Sequence, residues 1–146
     1  MREIYNFCFM NITEKVTFKT EGYQLLNITR DIQELVDQHS FEKGLVNLSI
    51  LHTSASLTVQ ENTSKDVLSD IGTFLSNLAP ETANYLHHVE GSDDMPAHLK
   101  TLLTNSNLTL SVISHKLVLG VWQGIYLCEW RKHAHTRSVL VHLLGE

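Results

Sequence analysis

The chain has 146 residues, of which 42% are hydrophobic and 18% are charged. This length and this balance are typical of one globular domain with a sizeable apolar core, and they exclude a largely disordered chain. The formal net charge of −5 argues against a general affinity for nucleic acid, which depends mainly on contacts of Lys and Arg with phosphate. No apolar run approaches the roughly 18 residues of a membrane helix, so we expect no membrane partner.

The cysteines and the N-terminal residues indicate a compartment. Cys8 and Cys128 lie near opposite ends of the chain and predict buried thiols under reducing conditions rather than a disulfide framework. The first seven residues lack the apolar stretch of a secretion signal. We therefore expect a cytoplasmic protein.

The first 61 residues contain mostly strand patterns. Alternating apolar residues predict strands within the first 28 residues. Thr29 is predicted to cap a short helix that follows them. A strand is predicted from Leu45 to His52, whose apolar residues share one side, and His52 ends that apolar row. Another short strand is predicted around Leu57 to Glu61.

Two further helices are predicted in the middle of the chain. After Ser64, a cap by residue type, six apolar residues recur at helical spacing until Pro80: Val67, Leu68, Ile71, Phe74, Leu75 and Leu78. The second helix is predicted to begin at Asp93 or Asp94. Its core-facing residues are predicted to be Leu99, Leu102 and Leu103.

The last third of the chain is rich in strand patterns. Four strands are predicted at Leu108–Ile113, Leu117–Val121, Ile125–Trp130 and Ser138–Leu144. Short connections between consecutive strands favour antiparallel pairing. We therefore predict a single α+β domain over residues 1–146, a largely antiparallel β-sheet assembly with about three helices packed against it.

Three of the nine histidines lie where polar sites commonly form. His52 ends a strand, His87 lies in a loop rich in carboxylates, and His98 lies in the first turn of a helix. Neutral imidazole is a good zinc ligand, and three histidines leave a fourth position open for water or substrate. The spacing contains neither His-Glu-x-x-His nor Cys-x-x-Cys. Each histidine taken alone is therefore better explained as a hydrogen-bonded structural residue.

Several charged residues accompany these histidines. The carboxylates of Glu90, Asp93 and Asp94 could orient the histidines by accepting hydrogen bonds from the imidazole nitrogen that does not bind the metal. Glu129 alternates with apolar residues on an inner strand face, where an unpaired carboxylate would be costly. Arg137 on the neighbouring strand is a candidate partner for it and a candidate phosphate ligand. We take Glu129 and Arg137 as the candidate catalytic residues.

Five segments form motifs in a fixed order: His52–Leu57, Tyr85–His87, Glu90–His98, Leu119–Glu129 and Gly145–Glu146. These motifs resemble those of the YjbQ family, small proteins often labelled secondary thiamine-phosphate synthase enzymes. The resemblance covers nearly the whole chain and is strongest between His52 and Glu129.

The resemblance implies a fold, an assembly, a site and an activity. It implies a compact α+β subunit that forms a homotrimer, with a divalent metal, zinc in the first instance, held by His52, His87 and His98. His88 falls where the family pattern is looser. The implied activity is a weak thiamine-phosphate synthase-like condensation of a pyrimidine diphosphate with a thiazole phosphate, so the expected ligand is a small phosphorylated molecule.

Three hypotheses of different classes remain open at this point. The first is an enzyme that polarises its substrate with a histidine-bound metal ion. The second is a non-catalytic module that binds a metal or a metabolite. In the third, the histidines are structural and tie subunits together at an assembly interface.

Overall fold

The computed structural model describes residues 9–146 of the chain. Cys8 and the first part of the predicted N-terminal strands lie outside these residues. No helix in the described range combines the length and the apolarity that a membrane crossing requires.

Eight strands and three helices occur within residues 9–146. The strands are β1 (Met10–Thr20), β2 (Gln24–Asn27), β3 (Gly44–Ile50), β4 (Ala55–Glu61), β5 (Asn107–Ile113), β6 (Lys116–Leu117), β7 (Gln123–Glu129) and β8 (His135–Gly145). The helices are α1 (Thr29–Gln38), α2 (Lys65–Leu78) and α3 (Asp94–Leu102).

The strands form two antiparallel sheets. The larger sheet has the order β1-β8-β3-β5-β6, and the smaller one has the order β2-β7-β4. Every strand pairing within them is antiparallel. These two sheets and the three helices confirm the predicted α+β fold. The expectation that β7 and β8 are neighbours is wrong, because these consecutive strands belong to different sheets.

One apolar core lies between the two sheets and α1. Val46, Leu48 and Ile50 of β3 point into it, at 0%, 0% and 6% exposure, as their alternation predicts. Leu57 and Leu127 enter the same cluster from the smaller sheet. Burial of each such side chain contributes roughly 1.5–3 kcal/mol, so this cluster is what holds the sheets face to face.

The first helix begins differently from the prediction. Thr29 is its first residue rather than its cap, and Ile28 occupies the cap position without a side-chain cap bond. The Asn27 side chain caps the start of the helix instead, because its Oδ1 accepts a hydrogen bond from the Thr29 backbone N–H at 3.0 Å. The Thr29 hydroxyl instead accepts the Ile125 N–H at 2.8 Å. Thr29 thus links the helix to β7.

A smaller apolar cluster lies under α2 and α3. It contains Leu75, Ala97, Cys128 and Trp130. Burial raises the pKa of the Cys128 thiol to about 12, as expected for an inert, packed cysteine. Cys128 is therefore buried as predicted.

The buried face of α3 is not the predicted one. Leu102 and Leu103 are 79% and 54% exposed, so the prediction that they face the core is wrong. Ala97 and Lys100 are buried instead. A small residue at position 97 allows the helix to approach Trp130 closely, and this packing sets the rotation of the helix.

A buried ion pair joins the two sheets. Glu129, at the end of β7, is 0% exposed, and Arg137 of β8 is 4% exposed. Arg137 Nε donates to Oε2 of Glu129 at 2.6 Å, and Nη2 donates to Oε1 at 2.5 Å. Thr20 Oγ1 donates to Oε2 at 2.7 Å, and the Arg131 N–H donates to Oε1 at 3.0 Å. The carboxylate is therefore fully partnered.

These contacts also set the protonation of the carboxylate. Burial alone would raise the pKa of Glu129, but the hydrogen bonds from Arg137, Arg131 and Thr20 hold it below its usual range. Such a pair stabilises folding above the pKa of the unfolded chain. That contribution is lost as the pH falls through the pKa of the folded state.

Removal of one partner should expose the cost of the buried charge. We expect Arg137→Met to lower the free energy of unfolding at pH 7 by about 3–5 kcal/mol, measured by urea denaturation. Without its cation Glu129 has a raised pKa, so the loss should shrink as acid protonates it. The double variant Glu129→Leu/Arg137→Met is the control and should recover a large part of the loss. An equal loss in both variants, or none in Arg137→Met, would contradict this account.

Candidate metal centre

Two histidines and one aspartate converge at the start of α3. Asp94 is the first residue of this helix, and His98 lies one turn later, where spacing of four residues places both side chains on one face. His87 approaches from the preceding loop. One ligand atom from each of the three residues lies within 4.8 Å of the other two.

The distances identify the atoms that meet. His87 Nε2 lies 2.6 Å from Asp94 Oδ2, and His98 Nε2 lies 3.2 Å from the same oxygen. The two imidazole rings are tilted by 58°, with their centroids 5.6 Å apart. Both Nε2 atoms and one carboxylate oxygen therefore point to a common position.

A second hydrogen bond fixes the tautomer of His98. Its Nδ1 lies 2.9 Å from the Thr53 carbonyl oxygen. Because a carbonyl oxygen only accepts, Nδ1 carries the proton, and in neutral His98 the lone pair of Nε2 faces Asp94. Two acceptors then face each other, an arrangement that a proton or a metal cation must bridge. Backbone carbonyls orient metal-binding histidines in the same way.

Arg131 holds the acidic side of the site. It forms ion pairs with Asp94 Oδ1 and, at 2.9 Å, with Asp93 Oδ2, and its Nη2 donates to the Glu90 carbonyl at 2.8 Å. Burial would raise the pKa of Asp94, but hydrogen bonding with His87 and Glu90 and the charge of Arg131 hold it below its usual range. Asp94 is therefore an ionised, oriented carboxylate.

The donor set fits a divalent transition metal. Two imidazoles and a carboxylate are ligands of catalytic zinc sites, which keep a further position open. The side chains of His87 and His98 are 44% and 32% exposed, so the common position is open on one side. A cavity of about 350 Å³ borders it and is lined in part by Tyr85, His87 and Ser92. This volume accommodates a small ligand.

The predicted ligands are only partly brought together. His87 and His98 meet as described, and Asp94 joins them, although the sequence indicated only an orienting role for it. His52 lies outside this group, and its Nε2 accepts the Ser138 N–H at 2.8 Å. Burial, and then the charge of Arg137, lowers the pKa of His52. With Nε2 accepting and Nδ1 protonated, neither nitrogen of His52 is free to bind a metal in this arrangement, and its ligand role stays a prediction.

The candidate catalytic pair is placed differently from the histidines. Glu129 and Arg137 form the buried ion pair described above, and their catalytic role stays a prediction. The C-terminal cations each face a carboxylate: Arg131 pairs with Asp93 and Asp94, Lys132 with Glu81, and Arg137 with Glu129. Their charges are therefore balanced within the protein.

Sequence reasoning missed two features of this centre. The convergence of Asp94 with the histidines had a usable signal, because Asp94 and His98 are four residues apart in a helix and so share a face. The role of Arg131 had none, because its partners lie 37 and 38 residues away along the chain.

The fold and the site together define a small α+β protein with two antiparallel sheets and a histidine–aspartate centre at the start of its last helix. The family model for the "UPF0047 protein YjbQ-like" proteins matches residues 14–146. The chain therefore belongs to the YjbQ-like UPF0047 family.

Individual relatives agree with this assignment. A UPF0047 protein of Synechocystis is 40% identical over 139 residues, which cover 94% of this chain and 95% of the relative. The crystal structure of the conserved hypothetical protein TT1486 from Thermus thermophilus is 36% identical, with a TM-score of 0.81 over 90% of this chain and 99% of that one. A YbjQ-like protein from Sulfolobus solfataricus has a TM-score of 0.86 at 22% identity, over 94% and 99% of the two chains. That last likeness concerns the fold alone.

Metal content tests the composition of the centre. Protein purified without a histidine tag and loaded with zinc should hold about one zinc per chain by elemental analysis, because three ligands converge on one position. His98→Ala and Asp94→Asn should weaken zinc binding by more than about 100-fold, the upper range for loss of merely supporting residues.

Two variants serve as comparisons in this experiment. His88 is exposed, and its Nδ1 bonds the Leu86 carbonyl, so His88→Ala should retain zinc. His52→Ala distinguishes the ligand set predicted from the sequence, which includes His52, from the set seen in the structure, which has Asp94 instead. Loss of zinc in this variant would support the set predicted from the sequence. Unchanged zinc in both His98→Ala and Asp94→Asn would rule out the centre described here.

Proposed function

We propose that this protein binds a divalent metal, zinc in the first instance, and uses the adjacent cavity for a small phosphorylated molecule. The observation that carries the proposal is the contact of His98 Nε2 with Asp94 Oδ2 at 3.2 Å, since in neutral His98 the bond to Thr53 leaves the Nε2 lone pair facing the carboxylate. A zinc ion bound there would polarise a substrate oxygen or lower the pKa of a bound water.

The protein's own residues have separate parts in this proposal. His98 is held in one tautomer by Thr53, and Asp94 is held in place by its ion pair with Arg131. His87 lies both in the centre and on the wall of the adjacent cavity, so it is placed to contact a bound molecule. Orientation of this kind lowers the reorganisation that binding and reaction require.

The activity we propose is a weak thiamine-phosphate synthase-like transfer, on the strength of the family motifs. In that reaction the pyrimidine is joined to the thiazole phosphate, and pyrophosphate is released. The non-catalytic alternative is a module that binds a metal or a metabolite. It is favoured by the ion pairs of Arg131, Lys132 and Arg137, because these three cations are each engaged with a carboxylate rather than available to a pyrophosphate.

Turnover distinguishes the two functions. With the pyrimidine diphosphate and thiazole phosphate as substrates, zinc-loaded protein should release thiamine phosphate and pyrophosphate, and chelated protein should not. Asp94→Asn should reduce the rate by at least about tenfold, whereas His88→Ala should leave it unchanged. Saturable binding of either substrate without product, in protein that holds zinc, would exclude the transferase and support the binding module.

We also propose that the chain assembles as a homotrimer, as the family motifs imply. The support is an uncovered apolar stripe on α2, where Val67, Phe74 and Leu78 are 37%, 63% and 56% exposed. These residues share a helix face, and large exposed apolar patches commonly mark protein interfaces.

Sedimentation tests the assembly. The protein should sediment as three copies of the 16.6 kDa chain, and Phe74→Asp should shift it to monomer because a charge would be buried in the interface. Ile113→Ser, at an exposed apolar residue of the larger sheet, is the matched control. A monomeric parent protein would refute the trimer. Dissociation by a chelator alone would instead favour histidines that tie subunits together.

A further inference from the structure

A second cavity lies between α2 and the smaller sheet, apart from the metal centre. It has a volume of about 500 Å³ and is lined by Tyr23, Gln24, Leu25, Leu68, Ser69, Gly72, Thr73, Ser76, Asn77, Lys100, Glu129 and Trp130. Volumes of this size are typical of small-molecule sites. Lys100 is two residues from His98 on α3, and this spacing directs the two side chains to nearly opposite sides of the helix.

Lys100 is an unusual residue for a cavity wall because it is only 2% exposed. Its Nζ has one hydrogen bond within the described residues, to Ser76 Oγ at 3.3 Å. Burial lowers the pKa of Lys100, and the charges of Glu81 and Asp93 only partly oppose this shift. Both carboxylates are ion-paired elsewhere, with Lys132 and Arg131. Lysines this buried are rare unless they are paired.

Aromatic rings compensate only part of this cost. Lys100 Nζ lies 5.1 Å from the ring centroid of Tyr23 and 5.5 Å from that of Trp130. Both distances are within the range of cation–π attraction, which favours the protonated amine. An ammonium group has three N–H donors, and rings are poor substitutes for acceptor oxygens. Two donors are therefore left without an acceptor among the described residues.

The remaining walls indicate the kind of ligand. Ser69, Thr73 and Asn77 of α2 supply polar groups, and Leu25 and Leu68 supply apolar surface. Among the lining residues, the other charged side chain is Glu129, whose carboxylate is occupied by Arg137. The cavity thus offers one uncompensated positive charge beside apolar walls, which suits a molecule with one anionic group and an apolar body.

We propose that the cavity between α2 and the smaller sheet is a binding site for a small organic anion, a carboxylate or a phosphate monoester, whose anionic group pairs with Lys100. Pairing would supply the acceptors that the buried ammonium lacks. The site is independent of the metal centre, so it stands whether or not the protein binds zinc.

The two tryptophans provide a direct readout. Trp130 lines the cavity, and its Nε1–H donates to Ser56 Oγ at 2.8 Å, whereas Trp122 is 62% exposed and is not among the lining residues. Titration of ¹⁵N-labelled protein with benzoate, phenyl phosphate and the neutral benzamide should shift the Trp130 indole signal and not that of Trp122. At least one anion should bind about tenfold or more tightly than benzamide. Whichever of benzoate and phenyl phosphate binds more tightly shows whether the site prefers a carboxylate or a phosphate monoester.

Three variants test the proposed anchor. Lys100→Met keeps the apolar stem without the charge and should weaken anion binding by about tenfold or more, to the level of benzamide. Lys100→Arg restores a cation and should bind more tightly than Lys100→Met. Gly72→Leu leaves Lys100 in place but adds bulk to the wall. A Cβ at Gly72 would meet no atom within 4 Å, so this variant should fold and should lose binding of all three probes.

The proposal has clear contrary outcomes. A Trp130 signal that none of the probes moves, with Trp130 and Trp122 dispersed as in folded protein, would overturn it. Equal affinities for benzoate, phenyl phosphate and benzamide would also overturn it, because the charge of Lys100 would then have no part in binding. If Lys100→Met fails to fold, Gly72→Leu and the comparison of charged with neutral probes still decide the matter.

Discussion

The contact on which the rest of the structure depends is the buried ion pair of Glu129 and Arg137. It joins β7 to β8, which lie in different sheets, and Thr20 at the end of β1 bonds the same carboxylate. A shift of one sheet against the other would leave this buried charge unpaired, at a cost of about 3–5 kcal/mol. The fourth donor to Glu129 is the backbone N–H of Arg131. The ion pair therefore also fixes the position of the Arg131 backbone, from which its side chain extends. That side chain then reaches Asp94 in the histidine–aspartate cluster.

The segment after β3 also connects the same ion pair to the histidine–aspartate cluster. His52 accepts the N–H of Ser138, the Thr53 carbonyl accepts hydrogen bonds from His98 and Thr101, and the Ser54 carbonyl accepts a long one of 3.5 Å from Arg137. Three consecutive residues therefore position a strand, a helix and the ion pair. His52 positions β8 through its bond with Ser138, and its role as a metal ligand stays a prediction.

The sequence predicted elements well where one face of an element decides its burial. Alternation placed Val46, Leu48 and Ile50 in the core. His87 and His98, which lie close together in the structure, were singled out because they lie in polar segments. Other features depend on distant residues and had no local signal. Leu102 and Leu103 were predicted to face the core but are exposed, because Ala97 and Lys100 of α3 pack against Trp130 instead. Similarly, no pattern reveals that β7 and β8 separate into two sheets.

The start of α3 shows how long-range contacts replace a local rule. Asp93 occupies the cap position, as its residue type predicts, but it makes no side-chain cap bond. Its carboxylate instead accepts hydrogen bonds from the Arg131 side chain and the Lys132 backbone, both at 2.9 Å. Loss of a cap bond costs about 0.5–2 kcal/mol, and charge-assisted bonds to a buried carboxylate offset a cost of that size. Asp93 thus connects the start of α3 to the segment that follows β7 and contains Arg131. This connection helps to position Asp94 and His98 beside His87.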